Sequence, residues 1–128
     1  MAEPKRILVI DDASLVRLYY RDILVRAGYA VDEALNGLEA LEKLLAEPAD
    51  LLIVDINMPR MDGVTFLKAL RRQEGAVATT PAVMISTEAG AQDFDAAKVA
   101  GANYYLVKPV TEAVLIEHVA LLCGPPHG

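Results

Sequence analysis

The sequence predicts an α/β protein, a doubly wound five-stranded parallel sheet flanked by five helices. Short apolar runs alternate along the chain with segments whose apolar residues recur at helical spacing, which is typical of parallel βαβ crossovers. Strands one, three and four are apolar at nearly every position, as expected when both faces of a sheet are covered. The length of 128 residues fits a single domain.

Five segments are predicted to be strands, at residues 5–10, 29–34, 51–54, 81–85 and 103–107. The first of them is rich in β-branched residues, which favour strands. The second strand has the weakest pattern, because it contains Asp32 and Glu33. A loop at residues 59–63 is indicated by its proline and glycine.

The predicted helices lie at residues 14–27, 38–46, 64–73, 89–100 and 111–122. In the first helix, the helical spacing is carried by Leu15, Leu18, Tyr19, Ile23 and Ala27. Gly28 is suited to end this helix, and Thr111 to cap the last one. We therefore expect one domain at residues 1–123, followed by a flexible tail or the start of a linker at residues 124–128.

The composition excludes several classes of function. A net charge of −6 and a pI near 4.8, with no basic cluster, argue against direct binding of nucleic acid. The single cysteine, Cys123, excludes an intramolecular disulfide and a multi-cysteine metal site. Neither a signal peptide nor a membrane-spanning apolar stretch is apparent, which predicts a cytoplasmic protein.

Polar residues follow the apolar strands at their carboxyl ends, where open α/β sheets bind ligands. The first strand is followed by Asp11 and Asp12, the third by Asp55, the fourth by Ser86 and the fifth by Lys108. With the strand order 2-1-3-4-5, the three carboxylates meet in one cleft. Such a cluster requires a cation, and carboxylate ligands suit Mg²⁺ or Mn²⁺. The lysine and the hydroxyl group suit a phosphoryl group.

The chain resembles the receiver domains of two-component response regulators, the CheY-like family, and among them the stand-alone, single-domain type. The resemblance runs from residue 5 to about residue 122. Each motif is weak alone, but four in the right order at the right strand ends are very specific. They are IDD at residues 10–12, VDINMPRMDG at 54–63, ISTEA at 85–89 and YLVKP at 105–109.

The resemblance implies that Asp55 accepts a phosphoryl group from the phosphohistidine of a sensor histidine kinase or a phosphotransfer domain. It also implies a Mg²⁺ site, with Mn²⁺ as a substitute. Asp12 binds the ion directly and Asp11 mostly through water, together with Asp55 and the backbone carbonyl of Asn57. The chain would not be an enzyme, beyond catalysing its own phosphorylation and dephosphorylation.

The resemblance also assigns a conformational switch. Lys108 pairs with the phosphoryl oxygens, and Ser86 binds one of them after transfer. Tyr105 then moves inward as Ser86 is drawn toward the phosphate, and Pro109 follows a cis peptide bond. The polar residues Asn57 and Glu88 control the access of water, which predicts a short-lived phosphorylated state.

Two alternatives stay open. One is a receiver-like docking module that works without phosphorylation. The other, a haloacid-dehalogenase-type phosphatase, needs a second aspartate two residues after the nucleophile, where this chain has Asn57.

The last helix predicts an output surface. Leu115, Val119 and Leu122 form the stripe expected to cover the sheet. Val114 and Leu121, with Ile116 nearby, form a second stripe, which we expect to lie beside Tyr105 and Phe94. This patch on helix 4, strand 5 and helix 5 predicts binding of an unknown downstream protein, or a phosphorylation-dependent dimer.

Overall fold

The computed structural model describes residues 3–58 and 61–127. Five parallel strands form one sheet in the order β2-β1-β3-β4-β5, which confirms the predicted topology. Pro59 and Arg60, the first residues of the predicted loop, lie outside the described residues, as do the first two residues and the last one. The strands are β1 (Arg6–Ile10), β2 (Ala30–Ala34), β3 (Leu51–Asp55), β4 (Ala82–Ser86) and β5 (Tyr104–Val107).

Five α-helices connect and follow the strands, as the sequence predicts. Side chains of Asn36, Asp62 and Thr111 cap three of them by accepting amide hydrogen bonds. A short 3₁₀ helix at Ala76–Thr79 has no counterpart among the predicted elements. The helices are α1 (Ser14–Arg26), α2 (Gly37–Ala46), α3 (Gly63–Arg71), α4 (Ala91–Ala100) and α5 (Glu112–Cys123).

The sheet separates two hydrophobic cores. One core joins the sheet to α2, α3 and α4, with Phe66, Leu67 and Leu70 of α3 fully buried. The other joins the opposite face to α1 and α5, where Leu115 and Val119 are fully buried. Every residue of β3 and β4 is buried, as their apolar sequences predict.

The buried face of α1 differs from the pattern used to predict the helix. Leu15 is 78% exposed, and Leu18 also faces solvent. The residues buried against the sheet are Tyr20, Ile23 and Leu24. Apolar residues surround most of this helix, so spacing predicts the helix without deciding which side packs on the sheet.

The segment after α5 contacts the start of the chain. The amide of Lys5 donates a hydrogen bond of 2.8 Å to the carbonyl oxygen of Pro126. The hydroxyl group of Tyr29 donates one of 2.8 Å to the carbonyl oxygen of Gly124. The domain limit at residue 123 and the flexibility of the tail stay predictions.

Candidate functional site

Three carboxylates meet at the carboxyl edge of the sheet. Asp11 follows β1 and Asp55 ends β3, and these strands are neighbours with Ile10 opposite Val54. One carboxylate oxygen from each of Asp11, Asp12 and Asp55 lies within 4.8 Å of the other two. The fold therefore brings together the acidic residues that the sequence predicts to share a cleft.

Asp11 is held by three hydrogen bonds. Its amide donates to the carbonyl oxygen of Ala34 at 3.1 Å, and its Oδ1 accepts from the amide of Ala13 at 2.9 Å. Its carbonyl oxygen accepts from the guanidinium group of Arg17 at 2.6 Å. Its remaining oxygen, Oδ2, is buried and has no hydrogen-bond partner within the described part of the chain. The result is a fixed carboxylate with one free oxygen.

Asp55 is buried, with only 5% of its surface exposed. The Nζ atom of Lys108 lies 3.5 Å from its Oδ1, which makes an ion pair. That oxygen nevertheless has no hydrogen-bond partner among residues 3–58 and 61–127. Burial and the nearby Asp11 raise the pKa of Asp55 to about 6, while Lys108 acts to lower it.

The carboxylates fit a hard divalent cation. Burial raises the pKa of Asp11 as well, so the ionised forms of both buried groups are disfavoured without a cation. Lys108 provides one positive charge against three carboxylates. The two buried oxygens, which accept no hydrogen bond from the described residues, and the exposed Asp12 form the oxygen donor set that Mg²⁺ prefers.

Ser86 ends β4, which neighbours β3, and Lys108 directly follows β5. Ser86 ends β4 opposite Val107, and the amide of Lys108 donates to the carbonyl oxygen of Ser86 at 2.8 Å. The side chain of Ser86 is buried, and its Oγ accepts from the amide of Glu88 at 3.1 Å. The Lys108–Pro109 peptide bond is cis.

Tyr105 reaches the loop between β4 and α4. Its hydroxyl group donates to the carbonyl oxygen of Glu88 at 2.7 Å. Its ring packs edge-to-face on Phe94 of α4, with 4.6 Å between the centroids. The side chains of Asn57 and Glu88 are both exposed.

The geometry around α5 differs from the predicted patch. It is Tyr104 whose ring contacts α5, through His118 at 4.8 Å, whereas Tyr105 packs on the α4 side. Neighbouring side chains of a strand lie on opposite faces of the sheet, which explains why Tyr104 and Tyr105 contact different helices. Leu121 is exposed, but Ile116 packs against the core.

Gly63 allows α3 to approach the backbone of Asp55. A Cβ atom at this position would lie 2.5 Å from the carbonyl oxygen of Asp55 and 2.9 Å from the Cα atom of Ile56. The amide of Gly63 also donates to the carbonyl oxygen of Ile56 at 2.9 Å. Any larger residue would displace the backbone that carries Asp55.

Sequence reasoning missed Arg17 and Glu33, which form an ion pair at 3.0 Å next to Asp11. The available signals were an arginine within a largely apolar helix and two acidic residues within a strand. It also missed an open, largely apolar pocket of about 500 Å³ next to Lys108. This pocket is lined mainly by Leu15, Val16, Tyr19, Tyr20, Pro109 and Val110.

These features define a receiver domain, and comparison with known proteins agrees. The profile of the response regulator receiver domain family matches residues 7–120. The chain therefore belongs to this family of two-component signalling proteins.

Two relatives show which kinds of protein contain a similar domain. The chain is 40% identical over 121 residues to the chemotaxis protein CheY1 of Helicobacter pylori, covering 93% of this chain and 97% of that protein. It is 43% identical over 118 residues to a protein-glutamate methylesterase/protein-glutamine glutaminase of Archaeoglobus fulgidus. That match covers 90% of this chain but only 33% of the methylesterase.

Solved structures share the fold over nearly the whole chain. The chemotaxis protein CheY4 of Vibrio cholerae superimposes with a TM-score of 0.87 and 34% identity, covering 94% of this chain and 99% of that one. A putative response regulator from Chloroflexus aurantiacus gives a TM-score of 0.88 and 33% identity, covering 94% and 98%. Among the described residues, no helix has the length and apolar character needed to cross a membrane.

Proposed function

We propose that this chain is a response regulator in which Asp55 accepts a phosphoryl group from a phosphohistidine, on a sensor histidine kinase or a phosphotransfer domain. The observation that carries the proposal is the environment of Oδ1 of Asp55, which pairs with Lys108 at 3.5 Å. This oxygen is buried beside Lys108 and two further carboxylates and lacks a hydrogen bond within the described residues. Buried carboxylate oxygens without partners are costly, so such an arrangement indicates a functional site.

The reaction is an in-line phosphoryl transfer. A carboxylate oxygen of Asp55 forms a bond to phosphorus as the nitrogen–phosphorus bond of the phosphohistidine breaks, and the bonding electron pair returns to the imidazole. Lys108 pairs with the phosphoryl oxygens, and Ser86 binds one of them in the product. Asp11, Asp12, Asp55 and the carbonyl oxygen of Asn57 would hold a Mg²⁺ ion, which would neutralise the charge of the phosphoryl group.

The product changes the surface through Ser86. Its Oγ, which now accepts from the amide of Glu88, turns to the new phosphoryl oxygen. Glu88 also accepts from Tyr105, so the rearrangement reaches the α4–β5–α5 surface. There it controls binding of a downstream protein or of a second receiver, in the cytoplasm and without direct contact with nucleic acid.

Asn57 lies two residues after Asp55 and Glu88 two residues after Ser86, and their exposed side chains can orient an attacking water molecule. A phosphorylated state that decays within seconds to minutes follows from this arrangement. Retention of the phosphoryl group over many hours in Mg²⁺ would contradict it.

Phosphorylation of Asp55→Asn against wild type tests the proposal. With acetyl phosphate and Mg²⁺, intact-mass spectrometry should detect one added phosphoryl group on wild type and none on the variant. Asp22→Asn, which removes a carboxylate on the exposed side of α1, is the matched control and should react like wild type. Equal labelling of Asp55→Asn would disprove the assignment. A wild type that accepts nothing from small donors or from a panel of histidine kinases would favour the docking module.

A further inference from the structure

The guanidinium group of Arg17 connects Asp11 to the edge strand β2. Its Nη1 donates a hydrogen bond of 2.6 Å to the carbonyl oxygen of Asp11, and its Nε donates one of 3.0 Å to Oε1 of Glu33. The side chain of Arg17 is only 11% exposed. A cation is seldom buried to this extent unless its partners hold it, so a local role for Arg17 is indicated.

Arg17 completes the immobilisation of Asp11. The amide and Oδ1 of Asp11 are held by Ala34 and Ala13, and Arg17 holds the carbonyl oxygen. That carbonyl belongs to the peptide unit linking Asp11 to Asp12. Its orientation therefore helps to set the directions of both carboxylates, which leave the backbone on either side of this unit.

Glu33 orients the guanidinium group in turn. It lies on β2 opposite Val9, and its second oxygen accepts from Arg21 at 2.7 Å. Arg21 is half exposed, whereas Arg17 is nearly buried. The two arginines thus share Glu33 as a partner. Of the two, only Arg17 also donates a hydrogen bond to Asp11 within the described part of the chain.

We propose that Arg17, oriented by Glu33, is a positioning residue for the divalent-cation site, because it fixes the Asp11–Asp12 peptide unit. The inference rests on the proposed function and extends it to residues that do not touch the ion. Outer residues that orient metal ligands commonly contribute tenfold or more to metal affinity.

The direction in which Mg²⁺ affinity changes when Arg17 is replaced distinguishes a positioning role from a purely electrostatic one. If Arg17 acted only as a nearby positive charge, its removal would leave the cleft more negative, and Mg²⁺ would bind more tightly. If Arg17 orients the ligands, its removal weakens binding despite that gain. A purely structural role would lower the melting temperature without changing the Mg²⁺ affinity of the folded protein.

Titration calorimetry with Mg²⁺ alone provides the test, at a temperature where each variant is folded. Arg17→Met should weaken binding about tenfold. Arg17→Lys keeps the charge but cannot reach both partners, so it should fall between Arg17→Met and wild type. Arg21→Met, which removes the other partner of Glu33, is the matched control and should bind within about twofold of wild type. Melting curves in a chelator report the structural contribution separately.

Unchanged or tighter Mg²⁺ binding by both folded Arg17 variants would overturn the inference, and so would equal weakening by Arg21→Met. If Arg17→Met does not fold, Arg17→Lys and Glu33→Gln test the positioning role instead, because both should weaken Mg²⁺ binding. Failure of wild type to bind Mg²⁺ would overturn the proposed metal site itself. Normal Mg²⁺ binding by wild type and by the Arg17 variants would overturn the positioning role alone.

Discussion

The hydroxyl group of Tyr105 donates a 2.7 Å hydrogen bond to the carbonyl oxygen of Glu88, whose amide is bound at 3.1 Å by the Oγ of Ser86. The backbone of Glu88 therefore links two side chains. Its amide binds the buried Ser86 of the site, and its carbonyl oxygen binds Tyr105 of β5. A change at Ser86 can reach Tyr105 through a single residue.

We expect Tyr105→Phe to loosen the β4–α4 loop. The variant loses one exposed hydrogen bond, worth about 1 kcal/mol or less, so global stability should change little. Amide exchange at residues 88–90 should become faster, which hydrogen-exchange mass spectrometry measures. Tyr104→Phe is the control, because the ring of Tyr104 packs on His118 of α5 instead. Unchanged exchange in Tyr105→Phe would show that this contact does not order the loop.

The contribution of Asp55 to the stability of the metal-free protein should fall as the pH rises. The pKa of Asp55 is raised from 3.8 to about 6, chiefly by burial and then by Asp11. The folded state therefore holds a proton that the unfolded state has released. The contribution of this proton to the free energy of unfolding is roughly 2–3 kcal/mol. It is fully present below about pH 4 and is lost as the pH rises through about 6. Urea unfolding in a chelator, at several pH values, measures this loss.

Asp55→Asn should remove the part of this pH dependence that Asp55 causes, and leave the part caused by the raised pKa of Asp11. Near pH 8 the variant should be more stable than wild type by about 2 kcal/mol, and the difference should vanish near pH 4. Asp22→Asn, at an exposed site on α1, should follow wild type at every pH. A constant difference between Asp55→Asn and wild type would mean that another group causes the dependence.

Asp12→Ala should abolish stabilisation by Mg²⁺. The substitution removes an exposed carboxylate from the cluster and relieves repulsion among like charges. Without metal, its melting temperature should equal or exceed that of wild type. Thermal melts with and without millimolar Mg²⁺ provide the measurement. A Mg²⁺-induced shift that survives in Asp12→Ala would place the ion elsewhere.

Leu121→Glu should weaken binding at the α4–β5–α5 surface. Leu121 of α5 is 63% exposed, so the fold should tolerate the charge. With beryllofluoride added to imitate the phosphoryl group, self-association in sedimentation or capture of a target should fall at least about tenfold, because a charge would enter an apolar contact. Leu45→Glu on α2, also 63% exposed, is the matched control. Equal loss in both variants, or none in Leu121→Glu, would place the output surface elsewhere.

The alternation of strands and helices could be predicted from the amino-acid sequence, and so could the meeting of three carboxylates at one edge of the sheet. Apolar β-branched runs predicted the buried strands, and parallel strands place their carboxyl ends at one edge. For that reason the sequence predicts that Asp11, Asp55, Ser86 and Lys108 lie at a single cleft.

How the side chains are held depends on the packing of the helices against the sheet. Spacing could not select the buried side of α1, because its apolar residues surround the helix and leave Leu15 exposed. The bond from Arg17 to the carbonyl oxygen of Asp11, and its pairing with Glu33, depend on how α1 packs beside β2. Contacts between distant segments follow from packing geometry, and periodicity along a chain carries no information about them.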